Sequence, residues 1–256
     1  MNAKSTTTYI INWIKNYCSS NNIPYLVIGV SGGIDSALTS TLCAETKIKT
    51  FVVSMPIHQR QLELDNANTH MRWLASKYSN IEIIEIELTN LFEEYTQTIP
   101  SQFQSDLGFA NSRARLRMII LYQIATKKNG IVVGTGNKIE DFGIGFFTKY
   151  GDGGVDLNPI ADLTKSEVRK LSTFCGITPD IIRSKPTDGL WEDGRTDEDQ
   201  IGATYKELEW AMGFQNNRST TNREKKVLNI YKTLNNKNNH KMVPIPVCKI
   251  PKEIKS

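Results

Sequence analysis

The sequence predicts a doubly wound α/β domain, a mainly parallel sheet with helices on both faces. Three observations predict it. Apolar runs rich in β-branched residues recur at 25–30, 50–55, 81–88 and 130–136. Helical patterns lie between them, as the crossovers of a parallel sheet require. The first run also feeds straight into a glycine turn and a further helix.

In chain order, residues 5–18 read as an opening helix and 25–30, apolar throughout, as a buried strand. Good helix formers follow at 37–45, and 61–78 is a second crossover helix. The 81–88 run alternates over part of its length, which suits a strand nearer the sheet edge. Residues 112–128 form a helix carrying Arg113, Arg115 and Arg117 among apolar side chains. Thr164-Lys165-Ser166-Glu167 is a capping box that opens a later helix, with Gly176 placed to end it. Residues 197–200 begin another, with Gly213 at its stop.

Composition bounds the rest. At 256 residues, 39% apolar and 23% charged, the chain is expected to be one domain, 1–256, of ordinary soluble character. No segment approaches the roughly 18 apolar residues of a membrane span, and the N-terminus lacks a secretory core, so a cytoplasmic location is expected. Cys18, Cys43, Cys175 and Cys248 are too scattered for a zinc site or disulfide framework and read as packing residues. Residues 218–256 hold ten Lys or Arg against Glu224 and Glu253, a net +8 within a total of +4. Such a basic segment fits a nucleic-acid arm, a clamp on a small polyanion, or a solvated face. We expect 215–256 to be basic and partly flexible, and the polar run 235–241 to be a mobile loop.

Chemistry first appears at Gly29-Val30-Ser31-Gly32-Gly33-Ile34-Asp35-Ser36. Gly32 and Gly33 let main-chain N–H groups converge, while Ser31 and Ser36 add hydroxyl donors beside a positive helix end: an anion site. The Gly-Lys-Ser/Thr ending of a Walker loop is missing, and Asp35 stands there instead. A carboxylate beside a polyphosphate needs a bridging cation, so Asp35 reads as a Mg2+ ligand. Gly134-Thr135-Gly136-Asn137-Lys138-Ile139-Glu140 leaves another strand end, so Glu140 can lean over the same sheet edge and share that cation. Thr135 suits either a nucleotide contact or a strand cap. The stretch 136–162 carries five glycines after Gly136, interleaved with Phe146, Phe147 and Tyr150, and falls at the carboxyl edge of the sheet, where ligands bind in such folds. Lys149 and Lys165 offer mobile point charges for phosphates; Asp156 suits either a ribose contact or a turn. His58 and His70 lack metal-ligand spacing.

The loop Ser31–Ser36 resembles that of the N-type ATP pyrophosphatases. The segments 134–140, 145–156, 163–165 and Pro186-Thr187-Asp188-Gly189-Leu190-Trp191 resemble ammonia-dependent NAD synthetases, and the likeness covers most of 25–215. The resemblance implies an ATP site at Gly29 to Ser36 with Thr135, Lys165 and Thr187, and Mg2+ on Asp35 and Glu140. It implies a deamido-NAD site at Arg115, Lys149, Asp156, His240 and Lys241, in a homodimer. Spacing alone does not choose among Arg113, Arg115 and Arg117. The implied reaction is adenylation of deamido-NAD by ATP with release of pyrophosphate, then displacement of AMP by ammonia to give NAD. No side-chain nucleophile is expected, and no nucleic-acid or membrane partner. Ammonia is the expected nitrogen donor, because a glutaminase domain would precede Tyr9 and only eight residues do. The rival expectations are a tRNA-directed ligase of the same fold and a nucleotide-binding regulator without turnover.

Overall fold

The computed structural model describes residues 1–187, 195–215 and 218–255. Helix α1 (Ala3–Ser20) leads to strand β1 (Tyr25–Gly29), α2 (Ile34–Glu45), β2 (Lys49–Ser54), α3 (Gln61–Lys77) and β3 (Ile81–Glu85). Helices α4 (Thr89–Thr98) and α5 (Asp106–Lys128) precede β4 (Ile131–Val132) and a π-helical turn (Ile139–Ile144). Further α-helices follow: α6 (Lys165–Phe174), α7 (Pro179–Arg183), α8 (Asp197–Ile201), α9 (Tyr205–Met212) and α10 (Asn222–Met242).

The strands pair in parallel in the order β3-β2-β1-β4, the doubly wound sheet expected from the sequence. Because successive strand side chains alternate, β1 and β2 feed two cores. Leu26, Ile28 and Val52 pack with Ile14 of α1, Leu38 of α2, Met71 of α3 and Leu171 of α6. Val27, Phe51 and Val53 face the opposite side, with Phe92 of α4 and Ala125 of α5. Burial on both faces explains why 25–30 is apolar throughout. The edge position of β3 explains its weaker pattern, with Glu82 and Glu85 exposed. A third core joins Ile139 and Ile144 of the π-turn to Tyr205, Leu208 and Val227, which fastens α9 and α10 over the carboxyl edge of the sheet.

Several predicted elements change. Strand β4 has only two residues, because Val133 turns to bridge Leu157 and Gly134 N–H donates to the Leu157 carbonyl at 2.7 Å. The helix expected to run from 197 to Gly213 breaks at Gly202, whose φ of +81° favours glycine, and Thr204 caps a fresh start for α9. The polar run 235–241 is not a loop but the last turns of α10. Its polarity has a local cause: Asn235 and Asn238 donate to the carbonyls of Gly143 and Ile144, each at 2.8 Å, and Lys241 Nζ donates to those of Gly145 and Phe147, each at 2.7 Å. The side chains thus satisfy backbone that the π-turn and its exit leave unpaired.

Cys18 and Cys43 are core residues, and burial pushes both thiols up. Buried His70 accepts or donates at Ser40 Oγ, 2.9 Å away, and burial pulls it down to about 4, so it stays neutral. Among the described residues no helix is long and apolar enough to cross a membrane.

Candidate active site

The turn after β1 is wound on its own serines. Gly33 N–H donates to Ser31 Oγ at 3.2 Å, Ser31 N–H to Ser36 Oγ at 3.2 Å, and Ser36 Oγ to the Gly33 carbonyl at 3.0 Å. Gly32 has φ +86°, and a Cβ there would lie 2.3 Å from the Glu63 carbonyl oxygen of α3, so only glycine fits. Gly33 caps α2 without any side-chain hydrogen bond, which leaves the first-turn N–H groups open to an anion.

Asp35, in that first turn, meets Glu140 and Lys165. Lys165 Nζ is 2.5 Å from Asp35 Oδ2 and 3.0 Å from Glu140 Oε1. Three elements converge to build this cluster. Asn137, fully buried, accepts from the N–H groups of Ile139 and Glu140, each at 3.1 Å, and so starts the π-turn that carries Glu140. Its amide also donates to Asp35 Oδ1 at 3.4 Å. The Thr164–Glu167 capping box, formed as predicted, places Lys165 first in α6. Lys165 is only 2% exposed, so it is a fixed group and not the mobile charge expected. Tyr205 donates to Glu140 from α9, and its hydroxyl lies 3.0 Å from Asp197 Oδ2.

Burial pushes the Asp35 carboxyl up despite the Lys165 charge beside it. Burial acts on Glu140 the same way, but Lys165, Tyr205 and Asn137 together outweigh it and hold this carboxyl below its ordinary value. Lys165 is raised, since the two carboxylates overcome its desolvation, and it stays an ammonium. With two carboxylates and one ammonium the trio carries one net negative charge. Two carboxylates converging on a single buried cation are a donor set that fits magnesium, with the ammonium standing in for the ion. Among the described residues no three His, Cys, Asp or Glu cluster into a metal cage.

These groups open on one cavity of about 660 Å³. All the residues assigned to ATP line it: Gly29, Val30, Ser31, Gly32, Gly33, Ile34, Asp35, Ser36, Thr135, Lys165 and Thr187, with Glu140. Asp188, Gly189, Leu190 and Trp191 of the motif after Thr187 lie outside the described residues. Of the five residues assigned to deamido-NAD, only Lys241 is in the lining. Arg115, Lys149 and His240 meet each other: Arg115 Nη2 donates to the Lys149 carbonyl at 3.3 Å, and Lys149 Nζ to that of His240 at 2.7 Å. Asp156 stands apart at β4, where one carboxylate oxygen accepts from Tyr122 Oη at 3.0 Å and the other from Val132 N–H at 2.8 Å.

The three arginines of α5 separate by environment. Arg113 lies 4.8 Å over the Phe92 ring, Arg115 reaches Lys149, and Arg117 enters the cavity lining. There Arg117 donates to the Met55 carbonyl at 3.0 Å and Gln59 Oε1 at 2.9 Å, and burial pulls its guanidinium down to about 10. Sequence reasoning also missed Asn137 and Tyr205. Tyr205 falls inside the helix expected to run from 197 to Gly213, so nothing marked it as the first residue of a capped helix.

Asp141 and Asp152 also line the cavity. Burial, with Glu140 adding to it, pushes Asp141 up to about 7, and burial pushes Asp152 up to about 6. A carboxyl raised on folding binds its proton more tightly in the folded state, so it removes stability as pH rises from about 4 to about 7. Asp141→Asn is therefore expected to raise unfolding free energy by about 1–3 kcal/mol at pH 8 in EDTA, with no gain at pH 4. Thermal denaturation of both proteins across that range measures it, and parallel curves would refute it.

The NAD synthase family profile matches residues 6–244. The NH(3)-dependent NAD(+) synthetase of Methanosarcina acetivorans is 38% identical over 214 residues, 82% of this chain and 81% of that protein. Among solved structures, an NMN synthetase from Francisella tularensis superposes with a TM-score of 0.86 at 30% identity, covering 98% of this chain and 99% of the other. An NH3-dependent NAD synthetase from Campylobacter jejuni, solved with nitrate ion, gives 0.77 at 27% identity, covering 97% and 100%. With its length matched almost end to end, this chain belongs to the NAD synthase family of enzymes.

Proposed function

We propose that this protein converts deamido-NAD to NAD with ammonia, driven by ATP, through an adenylated intermediate. A nicotinate carboxylate oxygen attacks the α-phosphorus and pyrophosphate leaves; the ammonia nitrogen then attacks the acyl carbon and AMP leaves. The observation that carries this reading is the convergence of the phosphate loop, the Asp35–Glu140 pair and Lys165 on one cavity that Phe147 and Lys241 also line.

The chain's contribution is orientation and charge. The open N–H groups of α2 receive phosphate oxygens, and Asp35 and Glu140 are the residues that would hold magnesium. Bound there, the ion neutralises charge as pyrophosphate departs. Lys165 lines the same cavity, and its ammonium would offer a charge to a phosphate held there. The reading needs no side-chain nucleophile. Ser40 and His70 do form a hydroxyl–imidazole pair, but it is sealed in the core and outside the cavity lining.

A specific observation favours a second acceptor. Only Lys241 among the presumed dinucleotide contacts lines the cavity, and the Francisella structure at 30% identity is an NMN synthetase. A mononucleotide acceptor would use the cavity without reaching Arg115, Lys149 or Asp156. The dinucleotide reading would instead draw on the second subunit of a homodimer, and we assign that contact to α5, whose Ile119 is 55% exposed. Pyrophosphate release measured with deamido-NAD, with nicotinate mononucleotide, with tRNA and with no acceptor tests these readings together. The higher kcat/KM names the nucleotide; release stimulated by tRNA alone would overturn both.

The nitrogen donor has its own test. The nucleophile is neutral ammonia, whose share of total ammonium falls about tenfold for each pH unit below its pKa. The apparent KM for ammonium chloride is therefore expected to fall steadily from pH 6.5 to 8.5, while KM for ATP changes far less. Efficient use of glutamine with indifference to ammonium would refute the assignment.

A further inference from the structure

We propose that Tyr205 is a positioning residue for the cation site, its hydroxyl donating to Glu140 from α9 with Asp197 as a second, competing acceptor. This rests on the reading of Asp35 and Glu140 as magnesium ligands. Tyr205 is 1% exposed, so its hydroxyl has lost water and must find protein partners. It finds two carboxylates, with the closer contact to Glu140 Oε1 and a 3.0 Å contact to Asp197 Oδ2. Packing alone does not call for this. The other buried residues of that core are apolar, and a phenylalanine would fill the same volume without desolvating a hydroxyl.

The local architecture holds the tyrosine in one place. Thr204 and Glu207 close a capping box around the first turn of α9, and Tyr205 N–H donates to Glu198 Oε1 at 2.9 Å. The ring serves a second purpose, since Lys165 Nζ lies 4.7 Å from its centroid. One residue thus touches both the Glu140 carboxylate and the ammonium that now occupies the gap. Asp197 adds a mechanical link, because its own N–H donates to the Pro186 carbonyl at 3.0 Å, immediately before the cavity residue Thr187. The backbone beside a proposed ATP contact and a proposed metal ligand are therefore tied through one phenol. Residues that orient a ligating carboxylate are expected to act on metal affinity before they act on stability.

Tyr205→Phe removes the hydroxyl and keeps the ring over Lys165. The probe is Mn2+, followed by the electron paramagnetic resonance of the free ion in the presence of a non-hydrolysable ATP analogue, so no turnover is needed. Binding by the wild-type protein tests the metal reading itself; if Mn2+ is not bound there, that reading fails first. Given wild-type binding, Tyr205→Phe is expected to weaken Mn2+ affinity about tenfold. In a Glu140→Gln background the same change should have no further effect. In steady-state assays the loss should appear in the magnesium requirement, with kcat largely restored at saturating magnesium. A purely structural tyrosine would lower Tm and leave Mn2+ affinity unchanged, and that result would overturn the proposal. If Tyr205→Phe does not fold, Asp197→Asn decides: its amide can donate to the phenol oxygen, which leaves the phenol proton to Glu140, so Mn2+ affinity should match or exceed that of wild type. A loss beyond fivefold in that variant would overturn the proposal, because the metal effect would then belong to Asp197.

Discussion

Asp35→Asn and Glu140→Gln are each expected to lower kcat for pyrophosphate release by about a thousandfold or more, the scale of losing a principal charge-stabilising group. The two carboxylates lie 2.5 and 3.0 Å from one buried ammonium, so each is already placed to share a single cation. An amide at either position keeps the shape and removes the charge. It also leaves Lys165 paired with the remaining carboxylate, so the trio becomes neutral and the fold should persist, with Tm within a few degrees of wild type. Raising magnesium should recover little, because an amide is a poor ligand for a hard cation beside water and phosphate. Rates measured from limiting to saturating magnesium, alongside thermal denaturation, check both halves. Near-normal activity at limiting magnesium would remove that residue from the site.

The parts of this site legible in the sequence are those that backbone geometry dictates locally. A strand of continuous apolar residues, glycines at a turn and a capped helix determine one another over about a dozen positions. The phosphate loop and the start of α6 could therefore be placed from spacing alone. Asp35 and Glu140 could be paired because both follow strand ends, and parallel strands deliver their carboxyl ends to one edge. Their bond to Lys165 could not be read, since a helix cap fixes where a residue begins and not where its side chain ends. Asn137 was hidden for a related reason. It looks like any loop asparagine until its two backbone partners are seen.

Run 235–241 misled in an instructive way. Four asparagines, two lysines and a histidine read as a segment unable to pack, yet they form helix. The partner of a helix need not be apolar. Here the partner is the main chain of 143–147, whose π-turn exposes carbonyls, and amides with a lysine are the side chains able to meet them. The same pairing holds the Phe146–Phe147 stretch beside the cavity, so the polar composition of α10 belongs to the architecture of the site.

Lys165→Met tests the other side of the carboxylate pair. The methionine keeps most of the side-chain volume but leaves Asp35 and Glu140 buried against each other without a counter-charge. Removing one partner of a buried ion pair costs about 3–5 kcal/mol, mainly from the charge left behind. The loss should depend on pH with a definite sign. Without the ammonium Asp35 rises further above its unfolded value and Glu140 loses the main charge that holds it below, so the variant loses stability as pH increases and recovers it in acid, where a shared proton replaces the lysine. At pH 8 in EDTA the unfolding free energy is expected to fall by about 3–5 kcal/mol, and at pH 5 by much less. Magnesium should then stabilise the variant more than the wild type, because it binds a preformed, uncompensated pair and need not displace an ammonium. Turnover should nevertheless fall by roughly a hundredfold, since the charge that Lys165 would bring to a phosphate is gone. Urea denaturation at both pH values, with and without magnesium, separates the possibilities. A stability loss insensitive to pH and to magnesium would make Lys165 a packing residue, and the two carboxylates would no longer be held for a cation.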